Sequence, residues 1–174
     1  MRKENYDISR QMQRDVINAY KEVYAKCFTQ REAYERTVLQ PAPRYYVTPK
    51  QALQVISPMM KGDFEMVDMM MPLRREMYYS LFNEVMKLSE KREFIGKSLS
   101  HVMRFAVLQP APRFYIGWDR AKRIRIWLRK GYFDETGKVR DDKVKCYRTK
   151  REQYRLKKQW MLERALEREK QTEQ

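Results

Sequence analysis

Glycine and cysteine are scarce in this chain, histidine is nearly absent, and no long apolar run occurs. Of the 174 residues only 5 are Gly and 7 Pro, while 35% are charged. That balance argues against a strand-and-turn architecture and points to an all-α fold. The two cysteines, Cys27 and Cys146, lack the clustered spacing of a disulfide framework or a zinc site, so both read as reduced thiols. The one histidine, His101, lies in a helical stretch and reads as a packed or surface residue rather than a ligand. No stretch approaches the roughly 20 apolar residues that span a bilayer. The N-terminal Met1-Arg2-Lys3-Glu4-Asn5 has no apolar signal region, so a cytoplasmic protein without a membrane partner is expected.

The equipment of most enzymes is missing too. There is no phosphate-cradling glycine loop, no nucleophile in a recognisable elbow, and no His, Cys, Asp or Glu grouping with metal-ligand spacing. A tyrosine nucleophile served by arginines is the one catalytic arrangement that the composition leaves open. The expectation is a non-enzyme with no cofactor and no metal.

What the chain does have is charge of one sign, unevenly placed. Of 38 Lys+Arg and 23 Asp+Glu, residues 1–72 hold 11 and 9, leaving 27 and 14 for residues 73–174. Two segments are densest. The first carries Arg113, Arg120, Lys122, Arg123, Arg125, Arg129 and Lys130 against Asp119; the second carries Lys145, Arg148, Lys150, Arg151, Arg155, Lys157 and Lys158 against Glu152. Such an excess over a short reach attracts polyanions, most commonly nucleic acid, with DNA the first expectation ahead of RNA. The other reading is a solvated face kept soluble by charge.

Sliding the sequence against itself by 69 positions reveals an internal repeat. Val38-Leu39-Gln40-Pro41-Ala42-Pro43-Arg44-Tyr45-Tyr46-Val47 recurs as Val107-Leu108-Gln109-Pro110-Ala111-Pro112-Arg113-Phe114-Tyr115-Ile116, with eight of ten positions identical. The match runs on without a gap through Ala52 and Ala121 to Lys61-Gly62 and Lys130-Gly131. Each copy reads as helix, proline-stiffened connection, helix, the second helix ending at a glycine suited to a left-handed C-cap. In the first copy Thr48 is the N-cap candidate with Pro49 at the first helical position; Gly117 takes the Thr48 place in the second. The connection spans about eight residues, against the three or four of a helix-turn-helix, so the unit is helix-turn-helix-like at most. Arg44 and Arg113 either cap a helix or stack on a tyrosine, or present a phosphate contact from a rigid loop.

The copies have diverged. The second helix of copy one, from Pro49 to Met60, is nearly neutral and reads as buried, whereas Trp118 to Lys130 reads as an amphipathic helix with a cationic face. On it Ala121, Ile124, Trp127 and Leu128 gather on one side, and Lys122, Arg123, Arg125, Arg129 and Lys130 on the other. Residues 1–72 are thus expected as a near-neutral scaffold lobe, 73–146 as a basic second lobe, and 147–174 as a C-terminal helix or arm. Met59, Met60, Met66, Met69, Met70 and Met71 form a methionine-rich linker, expected in the core. Residues 131–139 read as a turn or short hairpin, with Gly137 suited to a positive φ.

The Pro110-Ala111-Pro112-Arg113-Phe114-Tyr115-Ile116 segment, followed by a helix bearing Ala121, resembles a pattern in small basic proteins of gut-bacterial phages and mobile elements. It covers about a quarter of the chain. The resemblance implies a DNA-associated accessory protein, or a virion or assembly component, in the bacterial host cytoplasm or the virion. It assigns no site residue. Nucleic-acid binding through the basic second repeat and C-terminal helix is the leading expectation, and a structural or protein-docking role the second.

Overall fold

The computed structural model describes residues 2–129. The all-α expectation holds. Among the described residues seven α-helices follow one another: α1 (Arg2–Tyr24), α2 (Gln30–Val38), α3 (Pro49–Met59), the single-turn α4 (Glu65–Asp68), α5 (Pro72–Ser89), α6 (Leu99–Ala106) and α7 (Trp118–Arg129), with a 3₁₀ turn at Arg92–Phe94. No strand occurs among the described residues, only an isolated antiparallel bridge between Ala42 and Ala111.

The core follows from helical periodicity. On α1, Met12, Val16, Ile17, Tyr20 and Val23 are buried at spacings of three and four; on α5, Tyr78, Leu81, Val85 and Leu88 repeat the pattern. The shorter helices contribute Ala33, Tyr34 and Val38 from α2, Ala52, Val55, Ile56 and Met59 from α3, and Val102, Met103 and Ala106 from α6. The buried character read for α3 is therefore what is observed.

Local signals set the helix ends. The Thr48 side chain accepts a hydrogen bond from the Gln51 N–H, while the Gln51 side chain reaches back to the Thr48 N–H, closing a capping box ahead of Pro49. Those bonds satisfy two donors that would otherwise be orphaned at a buried helix start. Replacing Thr48, itself buried, with Ala is expected to cost about 1 kcal/mol. Chemical denaturation measures this, and an unchanged midpoint would mean that the cap contributes nothing. At the other end of copy one Gly62 takes φ 86°, as the Lys-Gly reading requires.

The two repeat copies meet through equivalent positions. Ala42 N–H donates to the Ala111 carbonyl and Ala111 N–H to the Ala42 carbonyl, both at 2.9 Å. Beside this pair the rings of Tyr45 and Tyr115 stack at 6.4 Å, and those of Tyr46 and Phe114 at 6.0 Å. A shift of 69 positions carries the first ring pair onto the second with its members exchanged. The helices cross over accordingly. α3 packs on α5 and α6 of the other copy, and α7 reaches back to α1 and α2 through Arg125 and Trp118.

Residues Met1–Ile126 form one compact unit and Trp127–Gln174 a second. The boundary expected between residues 72 and 73 thus falls inside the first unit, at the start of α5. The short hairpin expected at 131–139 and the C-terminal helix or arm expected at 147–174 lie outside the described residues.

The methionine-rich linker differs from expectation. Met59 is buried, but Met60, Met66, Met69 and Met71 are exposed, the last two at 82% and 77%. The reason is geometric. Met66 lies on α4, a helix of one turn with a single inward position that Val67 occupies, and Met60, Met69 and Met71 sit at helix ends rather than on an inward helical face.

Candidate functional site

α7 is where the sequence concentrates cationic side chains in the described region. It begins after Gly117, whose carbonyl accepts the N–H groups of Arg120 and Ala121. Ala121 and Ile124 are buried and fix the helix orientation. Arg120, Lys122, Arg123 and Arg129 are exposed. The nearest acid in sequence, Asp119, holds Arg123 at 3.2 Å in an ion pair with both partners about three-fifths exposed. An exposed pair of that kind contributes little and yields readily to a competing anion. Lys122 lies over the Trp118 ring at 5.9 Å, on whose face Arg31 of α2 also sits at 5.3 Å.

Arg125 is placed differently from the other basic residues of α7. Its guanidinium lies 4.6 Å from the centroid of Tyr20, 5.6 Å from that of Tyr24 and 5.9 Å from that of Tyr34. It donates to the Tyr34 hydroxyl at 2.9 Å and to Gln30 Oε1 at 3.4 Å. The three rings are themselves stacked, Tyr20 on Tyr24 at 5.4 Å and on Tyr34 at 4.8 Å. Burial pushes the Tyr20 hydroxyl up to about 12, while Arg125 pulls in the opposite direction. Arg125 is itself raised, first by its bond to Tyr34. The guanidinium expected to meet phosphate is thus committed to joining α7 to α1 and α2.

Arg113 is half-buried. It lies 5.9 Å over the Tyr115 ring and 3.6 Å from Glu76 Oε1, its Nε lacking a hydrogen-bond partner among the described residues. Its repeat equivalent, Arg44, donates to the Tyr45 carbonyl at 3.4 Å and to Gln11 Oε1 at 3.3 Å. The tyrosine stacking considered for these residues is what Arg113 does, and both side chains also face one cavity. Next to Arg44, burial and then the hydrogen bond to Asp15 raise the Tyr46 hydroxyl well above the ordinary tyrosine range.

On the expected apolar side of α7, Ala121 and Ile124 are buried and Leu128 is half-buried, but Trp127 is 38% exposed. Lys130, Lys145, Arg148, Lys150, Arg151, Arg155, Lys157 and Lys158 lie outside the described residues. Cys27 is a free thiol whose Sγ contacts the Val23 carbonyl at 3.4 Å. His101 is exposed and rests against Phe94 and Phe105. Among the described residues no group of His, Cys, Asp and Glu is arranged to hold a metal ion, and no helix is long and apolar enough to cross a membrane.

Comparison with protein families, with curated proteins and with solved structures gave no match for this chain.

Proposed function

We propose that the protein is a non-enzymatic nucleic-acid-binding protein that meets the phosphate backbone with the basic side chains of α7 and with those of the C-terminal segment. The observation that carries this reading is that Arg120, Lys122 and Arg123 stand exposed on one helix with Asp119 beside them. Exposed cations on a rigid helix gain affinity for a polyanion by releasing its counterions. The chain's formal charge of +15 adds a long-range attraction of the same sign. DNA of a phage or mobile element is the partner that fits the resemblance of the Pro-Ala-Pro-Arg-Phe-Tyr segment.

Fluorescence anisotropy of labelled duplex and single-stranded DNA and RNA tests the assignment, comparing wild type with Lys122→Glu/Arg123→Glu at several salt concentrations. Each lost phosphate contact lowers the magnitude of the log-log salt slope by about 0.9 on duplex DNA. The double variant is expected to weaken binding about tenfold or more and to flatten the slope by about two. Equal binding and equal slopes for the two proteins would remove α7 from the interface.

The exposed methionines Met60, Met66, Met69 and Met71 favour a second reading, a docking or assembly role, since adaptable thioethers suit a protein partner. Association with a protein that survives high salt would support it, because apolar contacts are not screened.

A further inference from the structure

A cavity of about 450 Å³ opens where the two repeat copies meet, within the unit Met1–Ile126. Its walls come in repeat-equivalent pairs: Arg44 with Arg113, Tyr46 with Tyr115, Val47 with Ile116. Arg74 of α5 and Arg120 of α7 bring the guanidinium groups to four, and among the described residues no carboxylate lines it. Glu76, which pairs with Arg113 at 3.6 Å, is about half exposed. The opposite character is supplied by Met71, Leu73 and Met77, which keep accessible apolar surface there. A cavity of this size falls within the roughly 300–1,000 Å³ of small-molecule sites, which combine apolar walls with a few convergent polar groups.

We infer that this cavity is a binding site for a small phosphorylated organic molecule with the size and charge of a nucleoside diphosphate. Arg113 already pairs with Glu76, while Arg74 and Arg120 make no ion pair among the described residues, and together they call for more than one negative charge. Arginine is the side chain whose planar fork matches phosphate oxygens two at a time. A bare inorganic anion would leave the accessible apolar surface of Met71, Leu73 and Met77 without a partner, so an organic body belongs to the ligand. Tyr46, Tyr115, Ser9 and Thr48 add hydroxyl-bearing side chains to the lining. The Pro-Ala-Pro connections explain how the site is held. Each carries its arginine two residues after the alanine of the reciprocal Ala42–Ala111 pair, so one backbone link sets the spacing of both arginines. The site overlaps the nucleic-acid reading of α7 at one residue. Arg120 is shared, but Lys122, Arg123 and Arg129 are not among the lining residues.

Isothermal titration calorimetry on the full chain tests this with ADP, GDP, CDP and UDP, and with pyrophosphate and adenosine as the two halves of the ligand. At least one diphosphate is expected to bind, pyrophosphate more weakly and adenosine not at all. Arg44→Gln and Arg113→Gln should each weaken binding by about tenfold or more. Because either variant could disturb the junction, Arg74→Gln is included; Arg74 is exposed and lies over the Tyr78 ring at 5.8 Å. It should weaken binding with unchanged thermal unfolding. Lys122→Glu/Arg123→Glu should bind the diphosphate as wild type does. No heat from any diphosphate or from pyrophosphate at millimolar concentration would overturn the site, as would adenosine binding as tightly as ADP. Diphosphate binding indifferent to all three arginine variants would overturn it as well. Loss of DNA binding in the α7 variant with diphosphate binding intact would separate the two sites, whereas failure of the α7 reading alone would leave the cavity standing.

Discussion

Phe114→Ala is expected to destabilise the protein by about 3–5 kcal/mol, the range for emptying a buried phenylalanine position. Phe114 is 1% exposed and its ring lies 6.0 Å from that of Tyr46, nearly parallel at 8°. The loss therefore includes both the transfer of a large apolar surface to water and an aromatic pair worth roughly 0.5–1.5 kcal/mol beyond its area. Set against total stabilities of about 5–15 kcal/mol, this single change removes a large fraction. It should lower the melting temperature by roughly 6–20 °C, at about 2–4 °C per kcal/mol for a chain of this length. Phe114→Leu, which keeps most of the volume, should lose much less. Calorimetric unfolding of the three proteins decides the matter, and a loss below about 1 kcal/mol for the alanine variant would place Phe114 outside the core.

The second large effect concerns Arg125. Arg125→Met keeps the length and the apolar stem but removes the charge shared among Tyr20, Tyr24 and Tyr34 and the bond to the Tyr34 hydroxyl. A charge-assisted hydrogen bond contributes about 1.5–3 kcal/mol and a cation over a ring about 0.5–2. The expected cost is about 2–4 kcal/mol, since one guanidinium cannot make all its contacts at full strength. Once folded, the variant should bind nucleic acid with the salt slope of the wild type, because the guanidinium faces the protein. Thermal unfolding and anisotropy together check this. Unchanged stability with a flatter salt slope would return Arg125 to the binding surface.

The contrast between Arg125 and Thr48 shows what could be read without coordinates. The Thr48 cap and the Gly62 terminus depend on residues within three or four positions, so local chemistry shows them directly. The reading of α3 as a buried helix is also local, resting on the near-neutral, largely apolar run from Pro49 to Met60. Arg125 sits among basic neighbours at helical spacing and looks like one more surface cation. Its partners are about a hundred positions upstream, and only the tyrosines at positions 20 and 24, one turn apart, hinted at an aromatic platform. The methionines failed for a related reason. Composition suggested a core filler, but whether a short linker turns inward depends on which of its side chains the neighbouring helices can accept. The paired arginines of the cavity had a visible signal, the same residue in the same flanking sequence twice. What the sequence does not contain is the pairing of the two Pro-Ala-Pro segments, since the Ala42–Ala111 bonds join residues 69 positions apart.

The crossing of α3 and α7 also governs the order in which the chain can fold. α3 leaves the ribosome before α5 and α6 exist, and α7 must find α1 and α2 about a hundred residues after they were made. Contacts at such separation carry the entropy of closing a long loop before they return any stabilisation, and high contact order slows folding. The first copy alone therefore emerges as a helix pair beside an apolar α3 without its partners. The contacts that cover α3 can form only once the second copy is present, as those of a dimer need the second subunit, but here the partner is tethered on the same chain.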